Sequence, residues 1–219
     1  MNDYLTLLRE SSDEIVIQKS RFIGYAAPCS TEEEALDFLK KIRSGHRDAR
    51  HHCYAYVIGS NSGVMRYSDD GEPGGTAGMP MMDVIRGRRV VNCCVVVVRY
   101  FGGILLGTGG LVRAYTQACK LALEASGIAR MEWTFREYCD LPYPCWDTVR
   151  HALEKLPARI ENVSFGASVT FDLLVREKDL SSVLEALQKS TGRQMESISA
   201  GEGFECWPET PGPDDCAAL

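Results

Sequence analysis

Residues 90–100, VVNCCVVVVRY, carry no alternation of apolar and polar positions. A strand covered on one face alternates, so this run predicts a central strand buried on both faces. Upstream, DEIVIQKSRFIGYAA (13–27) has short β-branched and aromatic groups and predicts one or two strands. The period then changes. In CSTEEEALDFLKKIRSG (29–45), Ala35, Leu36, Phe38, Leu39 and Ile42 fall on one helical stripe. Ser30 with Glu33 reads as a capping box, and Gly45 as a left-handed terminator. HCYAYVIGSNSGVMRYSDDGEPGG (52–75) predicts a hairpin turning at Gly-Ser-Asn-Ser-Gly, followed by an acidic, glycine-bearing stretch. TAGMPMMDVIRG (76–87) predicts a short helix with Pro80 in its first turn and Gly87 at its end. After the valine run, GGLVRAYTQACKLALEASG (109–127) predicts an amphipathic helix beginning near Gly110 and ending at Gly127.

From Met131 the pattern restarts. WTFREYCDL reads as a strand, PCWDTVRHALEKL as a helix, ARIENVSFGASVTFDLLV as a hairpin turning near Phe165–Gly166, EKDLSSVLEALQKSTG as a helix and RQMESISA as a final strand. This β-α-β-β-α-β order is the split βαβ pattern of a ferredoxin-like domain. The expected division is therefore 1–130, 131–200 and an acidic, proline-bearing flexible tail over 201–219.

Composition, 45% hydrophobic and 25% charged, is that of an ordinary globular protein, and the order of strands and helices makes its expected class α+β. The first residues lack the basic and apolar regions of a secretory signal, and no apolar run approaches the roughly 20 residues of a membrane helix. A cytoplasmic location with no membrane contact is expected. Nine cysteines are an odd number without a CxxC pair, and several lie inside apolar runs; they read as reduced packing residues. Net charge is −6, unevenly spread: residues 1–130 hold two more basic than acidic side chains, and the remainder holds eight more acidic than basic. A polyanion would be met by the first part of the chain.

Four stretches carry candidate chemistry. In GGILLGTGG (102–110), five glycines in nine positions lie between the buried strand and a helix start. Gly102, Gly103, Gly107, Gly109 and Gly110 let a ligand or another backbone approach, and helix amides with a partial positive charge follow, so an anion cradle is one reading. Arg99 and Arg113 would flank it as fork-shaped donors. The other reading is tight helix-on-strand packing with nothing bound. Neither the nucleotide-hydrolysing P-loop ending nor the GxGxxG spacing is present. The second stretch, SDDGEPGGTAG (68–78), places Asp69, Asp70 and Glu72 in four positions, with Thr76 after them; this is either a magnesium-binding turn or solvated turn chemistry. Third, His46, His51, His52 and Cys53 include a strand pair, His52 and Cys53, whose side chains point to opposite faces. His52 lining a polar cleft is the preferred reading there, and no catalytic residue, metal ligand or cofactor is assigned. Fourth, Arg86, Arg88 and Arg89 form a small basic patch.

The stretches KSRFIGYAA, HHCYAYVIG, SDDGEPGGTAGMP and VVVVRYFGGILLGTGGLVRAY strongly resemble the YigZ/IMPACT family, across roughly residues 10–200. The resemblance implies a first α/β domain of the fold shared by RNase PH and the second domain of a small-subunit ribosomal protein. It also implies a ferredoxin-like second domain similar to a late domain of elongation factor G. Eukaryotic members look like translational regulators and carry an extra preceding domain for which this chain has no room, so their kinase-pathway role is not expected here. Leu105 stands inside the glycine loop where relatives often place lysine. The expectation is a non-enzymatic, translation-linked regulatory protein contacting RNA, the ribosome or a translation factor through its first domain. Phosphate contacts would fall to Arg99, Gly102, Gly103, Gly107, Gly109, Gly110 and Arg113, beside a cleft of His52, Asp69, Asp70, Glu72 and Thr76. The alternative is a metal-assisted enzyme acting on a phosphate-containing substrate, and a protein partner on the exposed sheet of the second domain is a further possibility.

Overall fold

The computed structural model describes Asp3–Trp207. These residues divide into two compact units, Tyr4–Arg130 and Met131–Trp207 with Asp3. The chain is mixed α/β, and among the described residues no helix is long and apolar enough to cross a membrane.

In the first unit, β1 (Tyr4–Leu7) bridges Val90 through Leu5. β2 (Ser11–Ile17) and β3 (Ser20–Pro28) form an antiparallel hairpin, with Gln18 and Lys19 both at positive φ as a tight primed turn demands. After α1 (Glu32–Gly45) come β4 (His51–Ile58), β5 (Val64–Ser68), α2 (Gly78–Gly87), β6 (Cys93–Tyr100) and α3 (Gly107–Ser126). The sheet runs β2-β3-β6-β4-β5 with every pair antiparallel, so β6 is central, as its unbroken apolar run predicts. Its odd positions, Cys93, Val95 and Val97, pack with Phe22, Ala55, Ile85 and Tyr115 of the core beneath α2 and α3. Its even positions, Cys94, Val96 and Val98, pack with Phe38, Leu39 and Ile42 of α1. The eight described cysteines are free and six are buried, five of them in these two cores.

Both ends of α1 depart from the sequence reading. The N-cap of α1 is Thr31, whose Oγ1 accepts the Glu34 amide while Glu34 Oε2 accepts the Ser30 amide; the reciprocal box sits one residue later than Ser30–Glu33. Gly45 is the last helical residue, and the C-cap is His46 with negative φ. His46 is held by ring bonds on both sides: Tyr25 Oη lies 2.6 Å from Nε2, and Tyr100 Oη lies 2.8 Å from Nδ1 and donates onward to Asp48.

The second unit follows the β-α-β-β-α-β order read from the sequence: β7 (Ile128–Leu141), α4 (Trp146–Leu153), β8 (Ala158–Phe165), β9 (Val169–Arg176), α5 (Leu180–Ser190) and β10 (Glu196–Trp207). β9 lies between β8 and β7, and β10 pairs with β7. Val149, Val183 and Leu187 of the helices cover Cys139, Phe171 and Leu173 of the sheet. The other face is polar. Arg136 bonds Glu161 and Asp172 at 3.1 Å each, and the guanidinium groups of Arg159 and Arg176 lie 4.5 and 5.0 Å from the centroid of the Trp207 ring. The flexible tail expected from Gly201 is corrected: 201–207 continue β10, with Trp207 buried and its Nε1 donating to Thr134 Oγ1. Residues 208–219 of that expected tail lie outside the described residues.

Candidate functional site

Strand register assembles the site. Arg99 continues the odd row of β6 onto the α2/α3 face, flanked by Phe22 on β3 and His51 on β4. A guanidinium on a core-facing position needs a counter-charge. The loop after β5 provides it: Glu72 reaches inward and accepts from Arg99 Nη1 at 2.7 Å and from Tyr115 Oη of α3 at 2.8 Å. The two charged side chains are only 6% and 3% exposed. Arg99 also lies over the Phe22 and Phe101 rings, at 5.3 and 5.5 Å from their centroids. Burial raises the Tyr115 hydroxyl far above its ordinary value, and Cys53 and Glu72 add to the shift. The phenol is therefore a fixed donor to Glu72.

The acidic loop is built rather than merely solvated. Asp69 Oδ1 accepts the amides of Ala77 and Gly78 at 2.9 and 2.8 Å, and Oδ2 accepts that of Gly75 at 2.8 Å, which supplies α2 with the cap its N-cap residue Ala77 lacks. Burial pushes this carboxyl upward, but the three amides together outweigh it and hold Asp69 below its ordinary value. Asp70 accepts the His52 amide at 2.7 Å and Arg43 at 3.0 Å. The three carboxylates are thus committed to separate partners, and among the described residues no group of three or more His, Cys, Asp or Glu is placed to hold a metal ion.

The remaining cleft candidates are structural. His52 is buried, with Nε2 bonded to the His46 carbonyl at 3.0 Å, and Thr76 is buried with Oγ1 on the Pro73 carbonyl at 2.7 Å. His51 Nδ1 meets the Asp70 carbonyl at 3.0 Å. Cys53 faces the opposite side of β4 from His52, within the α2/α3 core; burial pushes its thiol up to about 12, so it carries no thiolate at neutral pH. Arg86, Arg88 and Arg89 are exposed around the end of α2.

The glycine-rich loop divides into two kinds of position. Gly102 is a packing glycine: a Cβ there would lie 2.0 Å from the Lys19 carbonyl carbon, and its amide donates to buried Ser20 Oγ at 3.1 Å. Gly103 and Gly107 have φ of 85° and 69°, and Gly110 is hemmed in by Leu106. Gly109 answers to none of these constraints. It is exposed, its φ is outside the left-handed region, and nothing lies within 4 Å of the Cβ position. α3 begins at Gly107, three residues earlier than expected, with Leu106 as an N-cap residue that gives no side-chain bond and no acid in the first turn. The amides at the start of α3 therefore stand beside exposed glycines and without a side-chain cap. Arg113 is exposed and makes no ion pair among the described residues. Arg99, expected to flank the loop with it as a second donor, is instead buried and paired with Glu72.

Phe101 was not singled out by the sequence. It is 51% exposed, and Ile104 and Leu105 of the same loop are 43% and 85% exposed. A second large aromatic side chain, directly after Tyr100 at the end of a buried strand and before a run of glycines, was the available signal.

Residues 18–123 match the Impact N-terminal domain, and residues 139–193 match a domain of unknown function, DUF1949. The chain is 37% identical over 202 residues to the IMPACT family member YvyE of Bacillus subtilis, covering 92% of this chain and 93% of that one. It is 51% identical over 109 residues to the IMPACT family member YigZ of Escherichia coli, about half of each chain. A Saccharomyces cerevisiae protein named Protein IMPACT homolog is 35% identical over 100 residues, 44% of this chain and 39% of its own length. Among solved structures, a protein described only as hypothetical is 32% identical with a TM-score of 0.59, covering 92% of this chain and 98% of its own. With the Impact N-terminal domain matched over 18–123 and a 37% identical relative matched over nearly the whole length of both chains, the chain belongs to the IMPACT family.

Proposed function

We propose that this protein is a non-enzymatic, translation-linked regulatory module that contacts RNA through the start of α3. The observation that carries the reading is a helix start at Gly107–Gly109 without a side-chain cap and with exposed residues, followed in the second turn by the exposed cation Arg113 and preceded in the loop by the half-exposed ring of Phe101. Amides and cation suit a phosphate, and an exposed ring in the preceding loop suits a splayed base. Gly109 strengthens the reading, because a glycine inside a helix costs about 1 kcal/mol relative to alanine and nothing in the fold asks for it. The translation link comes from the resemblance to regulatory members of the family. The rival enzyme reading loses ground because Asp69, Asp70 and Glu72 are already bonded to backbone amides, Arg43 and Arg99.

The test is anisotropy of a labelled dodecauridylate with the full chain over a salt series, together with ribosome co-sedimentation with and without nuclease. Log affinity is expected to fall with log salt by about 0.7 per phosphate neutralised, and Arg113→Gln to flatten that slope by about one such step. No salt-sensitive oligonucleotide binding and no nuclease-sensitive association would end the proposal.

A further inference from the structure

On the outer side of the first unit, α2 and α3 leave a groove of about 420 Å³ between them, lined among others by Pro80, Val84, Val112, Asp83, Arg88 and Lys120. Each helix contributes one stripe: Pro80, Val84 and Gly87 on α2, and Val112, Thr116 and Lys120 on α3. At 1.5 Å per residue these stripes run for about 10 and 12 Å, the length of two helical turns. Gly87 keeps the groove open at its end, since nothing lies within 4 Å of its Cβ position.

The charges about this groove set its partner. Four exposed cations, Arg86, Arg88, Arg89 and Lys120, stand against two acids, Asp83 and Glu124, in a chain whose net charge is −6. Arg86 is 3.8 Å from Asp83 and Arg88 is 2.5 Å from Glu124, so the acids are used locally. Lys120 and Arg89 make no ion pair among the described residues. A groove of two turns, apolar in much of its lining and cationic at its edge, is complementary to a helix with an apolar stripe and acidic flanks. A nucleic-acid strand fits less well, because no aromatic ring lines the groove to stack a base.

We propose that the α2/α3 groove is a docking site for an acidic amphipathic helix of a protein partner, anchored at i, i+3 or i+4, and i+7 against Val84 and Val112 and steered by Lys120. This goes beyond the RNA reading and does not rest on it.

The experiment uses the full chain and a fluorescein-labelled peptide of about four turns, with leucine on one i, i+3, i+4, i+7 stripe and glutamate on the flanks. Anisotropy is expected to give saturable binding tighter than about 1 mM. A scrambled peptide of the same composition should bind at least tenfold more weakly. Lys120→Glu, at an exposed position, should weaken the ordered peptide about tenfold without changing the circular dichroism melt, and Val112→Glu should do the same from the apolar side. Failure to bind below about 1 mM, equal binding of the scrambled peptide, or unchanged binding to Lys120→Glu would overturn the proposal. So would displacement of the peptide by dodecauridylate. Arg113→Gln separates the two readings, since it should leave peptide affinity within about twofold while RNA affinity falls.

Discussion

Replacing Glu72 by leucine tests the buried pair at the centre of the site. The substitution removes the shared acceptor of Arg99 Nη1 and Tyr115 Oη and leaves a guanidinium 6% exposed without its counter-charge. The Nε of Arg99 is already buried without a hydrogen-bond partner, so the group has little means of compensating. Breaking a buried pair from one side costs about 3–5 kcal/mol, a large part of the roughly 5–15 kcal/mol that holds a domain folded. Taking about 2 kcal/mol per molar for the urea dependence, the midpoint should fall by about 1.5–2.5 M. Adding Arg99→Met removes the orphaned charge and places an apolar chain against Phe22 and Phe101. This double variant should recover all but the roughly 1–3 kcal/mol due to the unpaired Tyr115 hydroxyl. The readout should be far-ultraviolet circular dichroism, because Trp133, Trp146 and Trp207 all lie beyond Arg130 and their fluorescence reports the other unit. A single variant within about 1 kcal/mol of the parent, or a double variant whose loss equals the sum of the two single losses, would refute the reasoning.

The remaining predictions concern the two loops. Asp69 is held below its ordinary value, so its contribution to stability is complete above the unfolded pKa and is lost as pH falls through the lower folded one; melts taken from about pH 5 down to about pH 2 should show a loss that Asp69→Asn lacks. Gly102→Ala should destabilise the first unit by more than about 3 kcal/mol, since its Cβ would sit on the Lys19 backbone, and an unchanged melt would refute the packing role. Gly109→Ala should instead raise stability by up to about 1 kcal/mol while weakening dodecauridylate binding, and tighter binding would contradict the RNA reading. Leu105→Lys adds a cation where the side chain is 85% exposed; it should leave the melt unchanged and steepen the salt dependence of oligonucleotide binding by about 0.7.

What the sequence disclosed and what it hid follow from how each feature is stabilised. The valine run was legible because burial on both faces abolishes alternation, and β6 is central for that reason. The end of β10 was not, because its residues 198–202 are exposed and the strand is held by pairing with β7, so the few apolar residues of GEGFECW follow a polar, glycine-bearing stretch that hides the continuation. The cap of α1 was misplaced by one residue because Ser30–Glu33 and Thr31–Glu34 offer the same pattern, and only geometry separates them. At the site, the glycine-rich stretch and Arg113 could be read directly. The burial of Arg99 could not, since its partner lies 27 residues away and the meeting depends on register between β6 and its neighbours.

The bond from Gly102 to Ser20, and the absence of space over Lys19, tie the glycine-rich loop to the β2–β3 turn 82 residues earlier. Neither segment can gain or lose a residue alone. A lengthened hairpin tip would lift the loop off its seat and tilt the opening turn of the helix, so insertions and deletions at these two places should be inherited as matched pairs, giving sequence comparison a signature that mutagenesis of either segment by itself would miss.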